Sequence, residues 1–211
     1  MTKIRIAGTN DEALTDGPGL RFSIYVMGCS IRCPGCQVPH LWNPDGGREV
    51  DVQDLAREAA ASELPISVLG GEPTDQARAL YELLFWIRDN RPDKGLDDPQ
   101  FIVVYTGYTL EALLARGDDF VDAALFMADV LVDGPFIQDQ DDDYLQYRGS
   151  RNQRVIDLKA TLADRDRAPV LIDWDTPEIV LTPEGDLLGA EGLMADLVGE
   201  GEPARRCGEV M

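Results

Sequence analysis

Three of the four cysteines lie on one short stretch of the chain, with the spacing C-x3-C-x2-C: Cys29, Cys33 and Cys36. Thiolates this close together can converge on a single metal centre. A cubane of four irons and four sulfides normally takes four cysteines, so three would leave one iron open to a small molecule. A zinc site built from the three cysteines and His40 is an alternative, although structural zinc sites usually pair two distant C-x2–4-C motifs. Unliganded thiols are the third possibility.

A second run whose residues could take part in binding or chemistry is Gly-Gly-Glu-Pro at Gly70, Gly71, Glu72 and Pro73. Glycines allow the backbone to approach a ligand closely and to adopt positive φ angles. The backbone carbonyls there could accept hydrogen bonds from an ammonium group, and Glu72 could add a charge-assisted bond. Alone, the run is typical of an ordinary strand-to-helix turn. Together with the three-cysteine loop that precedes it, the run becomes a specific sequence signal.

The cysteine loop and the Gly-Gly-Glu-Pro run together resemble the radical S-adenosylmethionine superfamily. The resemblance implies a 4Fe-4S cluster ligated by Cys29, Cys33 and Cys36, with S-adenosylmethionine bound at the remaining iron. In that superfamily one electron cleaves a sulfonium C–S bond, and the resulting 5′-deoxyadenosyl radical abstracts a hydrogen atom. Many members place an aromatic residue before the last cysteine, against adenine. Here Gly35 stands at that position, so other groups must contact the adenine.

Further blocks narrow the resemblance. In chain order they are Asp-Gly-Pro-Gly-Leu-Arg at 16–21, Tyr-Thr-Gly-Tyr at 105–108, Leu-Val-Asp-Gly-Pro-Phe at 131–136 and Arg-Gly-Ser-Arg-Asn-Gln at 148–153. Over about residues 5–160 the chain is similar to activating proteins of the anaerobic (class III) ribonucleoside-triphosphate reductase. That family takes a hydrogen atom from a glycine of the large reductase subunit. The implied partners are that subunit and an electron donor of the flavodoxin or ferredoxin type.

The resemblance also implies a set of cofactor contacts. The residues expected against S-adenosylmethionine lie in or beside these motifs: Gly35, Cys36, Gln37, Gly70, Gly71, Glu72, Pro73, Thr106, Gly107 and Asp133. The loops at 16–21 and 148–153 are candidates for partner docking or for closing the site. An alternative for the second loop is that Arg148 and Asn152 only pin it. As a lone histidine, His40 is more typical of a structural residue than of a catalytic base.

The predicted elements should bring these motifs together. Apolar runs predict strands at 20–27, 66–69, 101–105 and 130–132, and three- and four-residue periodicity predicts helices at 51–63 and after Thr74. Alternating strands and helices indicate an α/β protein with a parallel sheet. Since each motif directly follows a strand, all should meet at one edge of the sheet. The implied family fold is a partial, open (β/α) barrel.

The predicted domain organisation has three parts: a radical S-adenosylmethionine domain at 1–160, an extension packed on it at 161–198 and a disordered tail at 199–211. Cys207, in that tail, is expected to be an unliganded surface thiol. Residues 10–19 are predicted to form a polar loop, because they end in Asp-Gly-Pro-Gly.

Composition excludes several function classes. The chain has 211 residues, 44% of them hydrophobic, which is ordinary for a globular protein. Its net charge of −20 opposes binding to the phosphate backbone of a nucleic acid. No apolar run approaches the length of a membrane span, and the first residues do not resemble an export signal. Clustered cysteines without such a signal indicate metal rather than disulfides, and a reducing cytoplasm.

The sequence is also compatible with two other functions. The extension after residue 160 is compatible with a radical S-adenosylmethionine enzyme that acts on a small molecule or a peptide. A non-catalytic metal-binding module, holding zinc or an electron-transfer cluster in the cysteine loop, would leave the other strand-end motifs unexplained.

Overall fold

The structure is a computed structural model that describes residues 1–90 and 102–175 and two further strands, Ile179–Leu181 and Leu187–Gly189. The chain divides into two compact units, Met1–Asp173 and Trp174–Met211. In the second unit the two strands pair in antiparallel fashion. The tail predicted at 199–211 and Cys207 lie outside the described residues. The domain boundary at residue 160 stays a prediction.

The first unit is built on one sheet of eight strands. These are β1 (Lys3–Ala13), β2 (Arg21–Val26), β3 (Arg48–Asp51), β4 (Ile66–Gly70), β5 (Ile102–Tyr105), β6 (Val130–Asp133), β7 (Arg154–Asp157) and β8 (Val170–Leu171). Their order across the sheet is β3-β1-β2-β4-β5-β6-β7-β8. Within the described residues β3 and β8 are the edges, so the sheet is open.

The prediction of a parallel sheet is correct only for its centre. Strands β2, β4, β5 and β6 are parallel, whereas β1, β3, β7 and β8 pair in antiparallel fashion. A parallel pair needs a crossover connection, usually a helix, whereas an antiparallel pair can be joined by a loop. Helices lie between the four central strands in the sequence. Between β1 and β2, and between β6 and β7, the described chain contains no α-helix.

The helices of the first unit are α1 (Val52–Ala61), α2 (Ala77–Asp89), α3 (Leu110–Ala115), α4 (Asp119–Met127) and α5 (Leu158–Ala163). The helix predicted at 51–63 is confirmed as α1, and Asp51 is its N-cap. The Asp51 carboxylate accepts hydrogen bonds from the amides of Gln53 and Asp54 at 3.0 and 3.4 Å. The sequence does not predict helix α5, which directly follows β7.

One hydrophobic core joins the central strands to α1, α2 and α4. Ile24, Val68 and Leu83, from β2, β4 and α2, have no exposed surface. Each such side chain stabilises the fold by roughly 1.5–3 kcal/mol relative to an exposed one. This packing fixes the helices on the sheet and therefore fixes the ends of its strands.

The carboxyl ends of the four parallel strands lie side by side. Val26 of β2 is in register with Gly70 of β4, and Tyr105 of β5 with Val132 of β6. The cysteine loop, Gly71, Thr106 and Gly134 therefore follow neighbouring strands at one edge of the sheet, as the sequence predicts.

On the side of the sheet formed by β1 and β3, one prediction is wrong and one strand is missing from the prediction. Residues 10–13 belong to β1, not to a loop, and Asn10 pairs with Ser23 and Ala13 with Arg21 across irregular register shifts. Strand β3 was not predicted at all.

In the part of the chain that the structure describes, no helix has the length and apolar character needed to cross a membrane.

Candidate active site

A cavity of about 340 Å³ opens at the carboxyl edge of the central strands. Its lining includes most of the site residues proposed from the sequence: Cys29, Cys33, Cys36, Gln37, Gly70, Gly71, Glu72, Thr106 and Gly107. Three strand ends, those of β2, β4 and β5, contribute these residues, and Gly134 after β6 completes the edge. We call this space the inner cavity.

The three cysteines are half-buried free thiols at the edge of the inner cavity. The loop that carries them is closed by backbone hydrogen bonds, since the Gly28 amide donates to the Leu41 carbonyl at 2.8 Å. The Cys36 amide donates to the Cys33 carbonyl at 3.1 Å, which forms a tight turn between two of the thiols. Burial raises the pKa of the Cys29 thiol.

The start of the cysteine loop is clamped from two other strand ends. The Ser30 amide and hydroxyl both donate to the Asp75 carboxylate, at 2.7 and 2.8 Å. The Ser30 hydroxyl also lies 2.8 Å from the hydroxyl of Tyr108. Arg116 stacks on the Tyr108 ring at 3.8 Å and donates to Thr74 at 3.2 Å. The position of Cys29 is therefore fixed by the segments that follow β4 and β5.

Glu72 is the buried centre of the site, with only 1% of its surface exposed. Its Oε1 accepts hydrogen bonds from the Thr74 amide at 3.0 Å, the Thr74 hydroxyl at 2.6 Å and the Thr106 hydroxyl at 2.9 Å. Its Oε2 accepts one from the Gly107 amide at 2.9 Å. Burial raises the pKa of Glu72, and these hydrogen bonds oppose the rise. The carboxylate thus ties the end of β4 to the end of β5.

The two glycines before Glu72 serve chain packing. A Cβ atom on Gly71 would lie 2.1 Å from the Gly28 carbonyl oxygen, and one on Gly70, whose φ is +106°, would lie 2.9 Å from the Val26 oxygen. The Gly71 amide donates to that Val26 oxygen at 2.9 Å, and the Glu72 amide donates to Gly28 at 2.8 Å. Glycine at these positions lets β4 meet the cysteine loop directly.

Three of the proposed contact residues do not line the inner cavity: Gly35, Pro73 and Asp133. Asp133 is fully buried and accepts hydrogen bonds from the Leu110 amide at 2.7 Å and from Arg154 Nε at 2.9 Å. It therefore holds the start of α3 and the start of β7. Gly35 has a φ of +77° and packs against the Gln138 side chain. Pro73 is a buried residue that begins a short 3-10 helix.

The loop at 16–21 is held in place by hydrogen bonds of the buried Arg21 side chain. This side chain is fully buried and donates to the Ser67 hydroxyl at 2.7 Å, the Ile66 carbonyl at 2.7 Å and the Pro18 carbonyl at 3.1 Å. Burial lowers its pKa to about 10. Asp16, which lines the inner cavity, accepts a hydrogen bond from the Tyr25 hydroxyl at 2.6 Å. The loop is thus held firmly beside the cavity.

The loop at 148–153 is tied to the end of β6. Gln153 donates to the Gly134 carbonyl at 3.1 Å and accepts from the Gly149 amide at 2.9 Å. Asn152 donates to the Pro135 carbonyl at 2.7 Å. Pinning of this loop by Asn152, an alternative raised by the sequence, is therefore seen in the structure. Gly149 and Gln153 also line the inner cavity.

Among the residues that line the inner cavity, the metal-binding donors include three thiols and no histidine. Among the described residues, no three histidine, cysteine, aspartate or glutamate side chains converge tightly enough to hold a single ion. A tetrahedral zinc, with bonds to sulfur of about 2.3 Å, would bring two thiolates to roughly 4 Å from each other. His40 is exposed and lies outside the inner cavity. The three cysteines instead border a space large enough for a larger group.

Sequence reasoning assigned no site role to two aromatic residues of the lining, Trp42 and Tyr105. The Trp42 Nε1 and the Tyr105 hydroxyl are both buried, and neither has a hydrogen-bond partner among the described residues. Tyr105 is the last residue of a predicted strand, so its place beside Thr106 was a usable signal. No local pattern marks Trp42.

Comparison with known proteins agrees with this geometry. A family model described as a 4Fe-4S single cluster domain matches residues 15–156. The anaerobic ribonucleoside-triphosphate reductase-activating protein of Vibrio cholerae is 35% identical over 150 residues, covering 67% of this chain and 90% of the relative. The protein of the same name from Escherichia coli is 33% identical over 154 residues, covering 69% and 94%. The chain belongs to the family of these activating proteins.

A more distant relative has a different name and a lower sequence identity. The pyruvate formate-lyase 1-activating enzyme of Escherichia coli is 28% identical over 169 residues, covering 76% of this chain and 63% of that enzyme. The predicted membership in the radical S-adenosylmethionine activating enzymes is confirmed. Members of this class are oxidoreductases, and the class implies an iron–sulfur cluster and S-adenosylmethionine as cofactors.

Proposed function

We propose that this protein generates a glycyl radical on the large subunit of an anaerobic ribonucleoside-triphosphate reductase. One observation carries the proposal: in a chain of this family, the cysteine loop and the segments after β4 and β5 line one inner cavity. The arrangement supports a single site in which a cluster and a second cofactor sit side by side.

In this proposal Cys29, Cys33 and Cys36 hold the 4Fe-4S cluster. When bound together, the cluster and S-adenosylmethionine supply reductive cleavage of the sulfonium and a carbon radical that takes a hydrogen atom. The residues that would hold S-adenosylmethionine are those of the lining: Gln37, Gly70, Gly71, Glu72, Thr106 and Gly107. Gly35, Pro73 and Asp133 would act less directly, by shaping the loops that carry this lining.

The chain's own residues orient and shield the site. Glu72 holds Thr106 and Gly107 against the end of β4 through its two carboxylate oxygens. Asp75 and Tyr108 hold Ser30 and thereby the Cys29 backbone. Such preorganised hydrogen bonds keep the lining in one geometry while cofactors bind, which limits the conformational entropy lost on binding.

The proposed fold is the partial, open (β/α) barrel of the radical S-adenosylmethionine class, with residues 1–160 as its catalytic domain and residues 161–198 as an extension. The open, mixed sheet and the four parallel strands at its centre support this fold. An unclosed sheet leaves one side accessible to a large protein substrate.

The partners are proposed on physical grounds. A net charge of −20 opposes nucleic-acid binding. The cluster needs reduced thiolates and one electron at a time, which supports a cytoplasmic location and a donor of the flavodoxin or ferredoxin type.

The chemistry can be tested without the partner subunit. After anaerobic reconstitution with iron and sulfide, dithionite and S-adenosylmethionine should yield 5′-deoxyadenosine. Cys33→Ala should abolish the product, whereas Cys207→Ala, a cysteine outside the three-cysteine motif, should not. A protein that takes up zinc, shows no iron–sulfur absorbance and forms no deoxyadenosine would contradict the proposal and favour a metal-binding module. Turnover of a small substrate without a protein partner would favour the other alternative.

A further inference from the structure

A second, outer cavity of about 560 Å³ adjoins the inner one. The residues that line both cavities form the boundary between them: Asp16, Gln37, Leu69, Tyr105, Gly149 and Gln153. Among the described residues that line the outer cavity, none is a cysteine. The three cysteines thus line the inner cavity but not the outer one.

Tyr105 is the unusual member of this boundary. Its hydroxyl oxygen is buried and has no hydrogen-bond partner among the described residues. A buried hydroxyl without a partner costs about 1–3 kcal/mol. Tyr105 borders two cavities, in which a ligand could accept this hydrogen bond. Burial also raises the pKa of Tyr105, although the Arg21 charge opposes the rise, so the hydroxyl stays protonated.

The surroundings indicate what that ligand is. The lining of the outer cavity combines amide and hydroxyl side chains with three leucines, and its charged members are Asp16 and Arg148. Such a lining suits the amides and carbonyls of a peptide main chain. A glycine has no side chain, so an enzyme can position its Cα only through main-chain hydrogen bonds or through the flanking residues. Tyr105 borders both the cavity lined by the three cysteines and the outer cavity.

We propose that the Tyr105 hydroxyl donates a hydrogen bond to a main-chain carbonyl beside the substrate glycine and so positions that glycine for hydrogen abstraction. The inference rests on the function proposed above, because it takes the substrate to be a protein segment. Tyr105 is a positioning residue in this role. It neither holds the cluster nor transfers the hydrogen atom.

The test compares Tyr105→Phe with wild type as reconstituted holoenzymes that contain S-adenosylmethionine but no reductant. The probe is a peptide that carries the radical-bearing glycine segment of the reductase large subunit. Loss of one buried neutral hydrogen bond should raise the Kd by about fivefold to tenfold. Tyr81→Phe is the matched control, since Tyr81 of α2 packs against Phe85 of α2 and Phe120 of α4 and lines neither cavity.

A second readout separates positioning from folding. Because the Tyr105 hydroxyl has no internal partner, Tyr105→Phe should not lower the Tm of the protein, whereas a structural hydroxyl would lower it. An unchanged peptide Kd, or a lowered Tm, would overturn the inference. Glycyl radical formation is measured separately after reduction. A wild-type enzyme that binds the peptide but forms no glycyl radical would refute the proposed function, while the ratio of the two Kd values would still decide the role of Tyr105.

Discussion

At the scale of single residues, Glu72 links the most parts of the site. Its carboxylate accepts four hydrogen bonds, from a hydroxyl and an amide of Thr74, the Thr106 hydroxyl and the Gly107 amide. Threonine hydroxyls can rotate to suit either an acceptor or a donor, but backbone amides cannot. The Gly107 amide therefore requires an oxygen at Glu72 Oε2.

Glu72→Gln tests this requirement. With its oxygen kept toward Thr74, the glutamine amide group would face the Gly107 N–H, donor against donor. Leaving that amide unpaired should lower the free energy of unfolding by about 1–3 kcal/mol, measured by urea denaturation of the metal-free protein. The reconstituted variant should also bind less iron per chain. Glu58→Gln, at an exposed position of α1, is the control. Equal stability and iron content in all three proteins would show that Glu72 has no organising role.

At the scale of elements, the site depends on how closely β4 approaches the cysteine loop. Gly71 lies so near the Gly28 carbonyl that any Cβ atom would overlap it, at 2.1 Å. Both groups are backbone, so neither can move aside as a flexible side chain could. The approach therefore places a strict demand on one position.

Gly71→Ala should force the end of β4 away from the loop and break the hydrogen bond from the Glu72 amide to Gly28. We expect a loss of stability of about 1–3 kcal/mol and a sharp drop in the iron–sulfur absorbance after reconstitution. Gly8→Ala is the matched control, because a Cβ atom on Gly8 of β1 meets nothing within 4 Å. A Gly71→Ala protein that incorporates as much iron as Gly8→Ala would contradict this account of the strand ends.

The contact between α3 and β7 predicts a dependence on pH. Arg154 donates to both carboxylate oxygens of Glu111, at 3.0 and 2.8 Å, and these hydrogen bonds lower the pKa of Glu111 to about 2. A carboxyl group whose pKa is lowered on folding stabilises the protein above its unfolded pKa, and this contribution is lost as the pH falls toward the folded value. The relevant window runs from the ordinary value of 4.5 down to about 2.

Glu111→Gln should therefore be less stable than wild type at pH about 6, and the difference should shrink as the pH falls toward 3. Because the pair is largely exposed, the difference should be at most about 1 kcal/mol. Urea midpoints at several pH values measure it. A difference that stays constant with pH would show that the ion pair is not its source.

At the scale of the whole molecule, the sequence predicts the centre of the fold better than its edges. Largely apolar runs such as 66–69 and 130–132 identify buried parallel strands, and three- and four-residue periodicity identifies α1. Strand β3, with the sequence Arg-Glu-Val-Asp, has no comparable pattern. It is a strand only because it pairs with β1, and such pairing depends on residues more than 40 positions away.

The same limit applies to the site. The spacing of Cys29, Cys33 and Cys36, and the place of each motif after a strand, predict which loops meet. They do not predict the direction in which a side chain points once it is there. Asp133 follows a strand as expected, but it turns toward Arg154 and α3 and away from the inner cavity. The boundary position of Tyr105 likewise arises from loops that are remote in sequence.

The proposed activity of this molecule is to make a radical on a glycine of its protein partner. The most direct measurement is electron paramagnetic resonance of the reductase large subunit after anaerobic incubation with the reconstituted protein, S-adenosylmethionine and a reductant. We predict the doublet signal of a glycyl radical, and we expect the doublet splitting to collapse when the subunit carries α-deuterated glycine. 5′-Deoxyadenosine should form in an amount equivalent to the radical. Deoxyadenosine formation without any radical on the subunit, under conditions where an established activating protein produces one, would contradict the account.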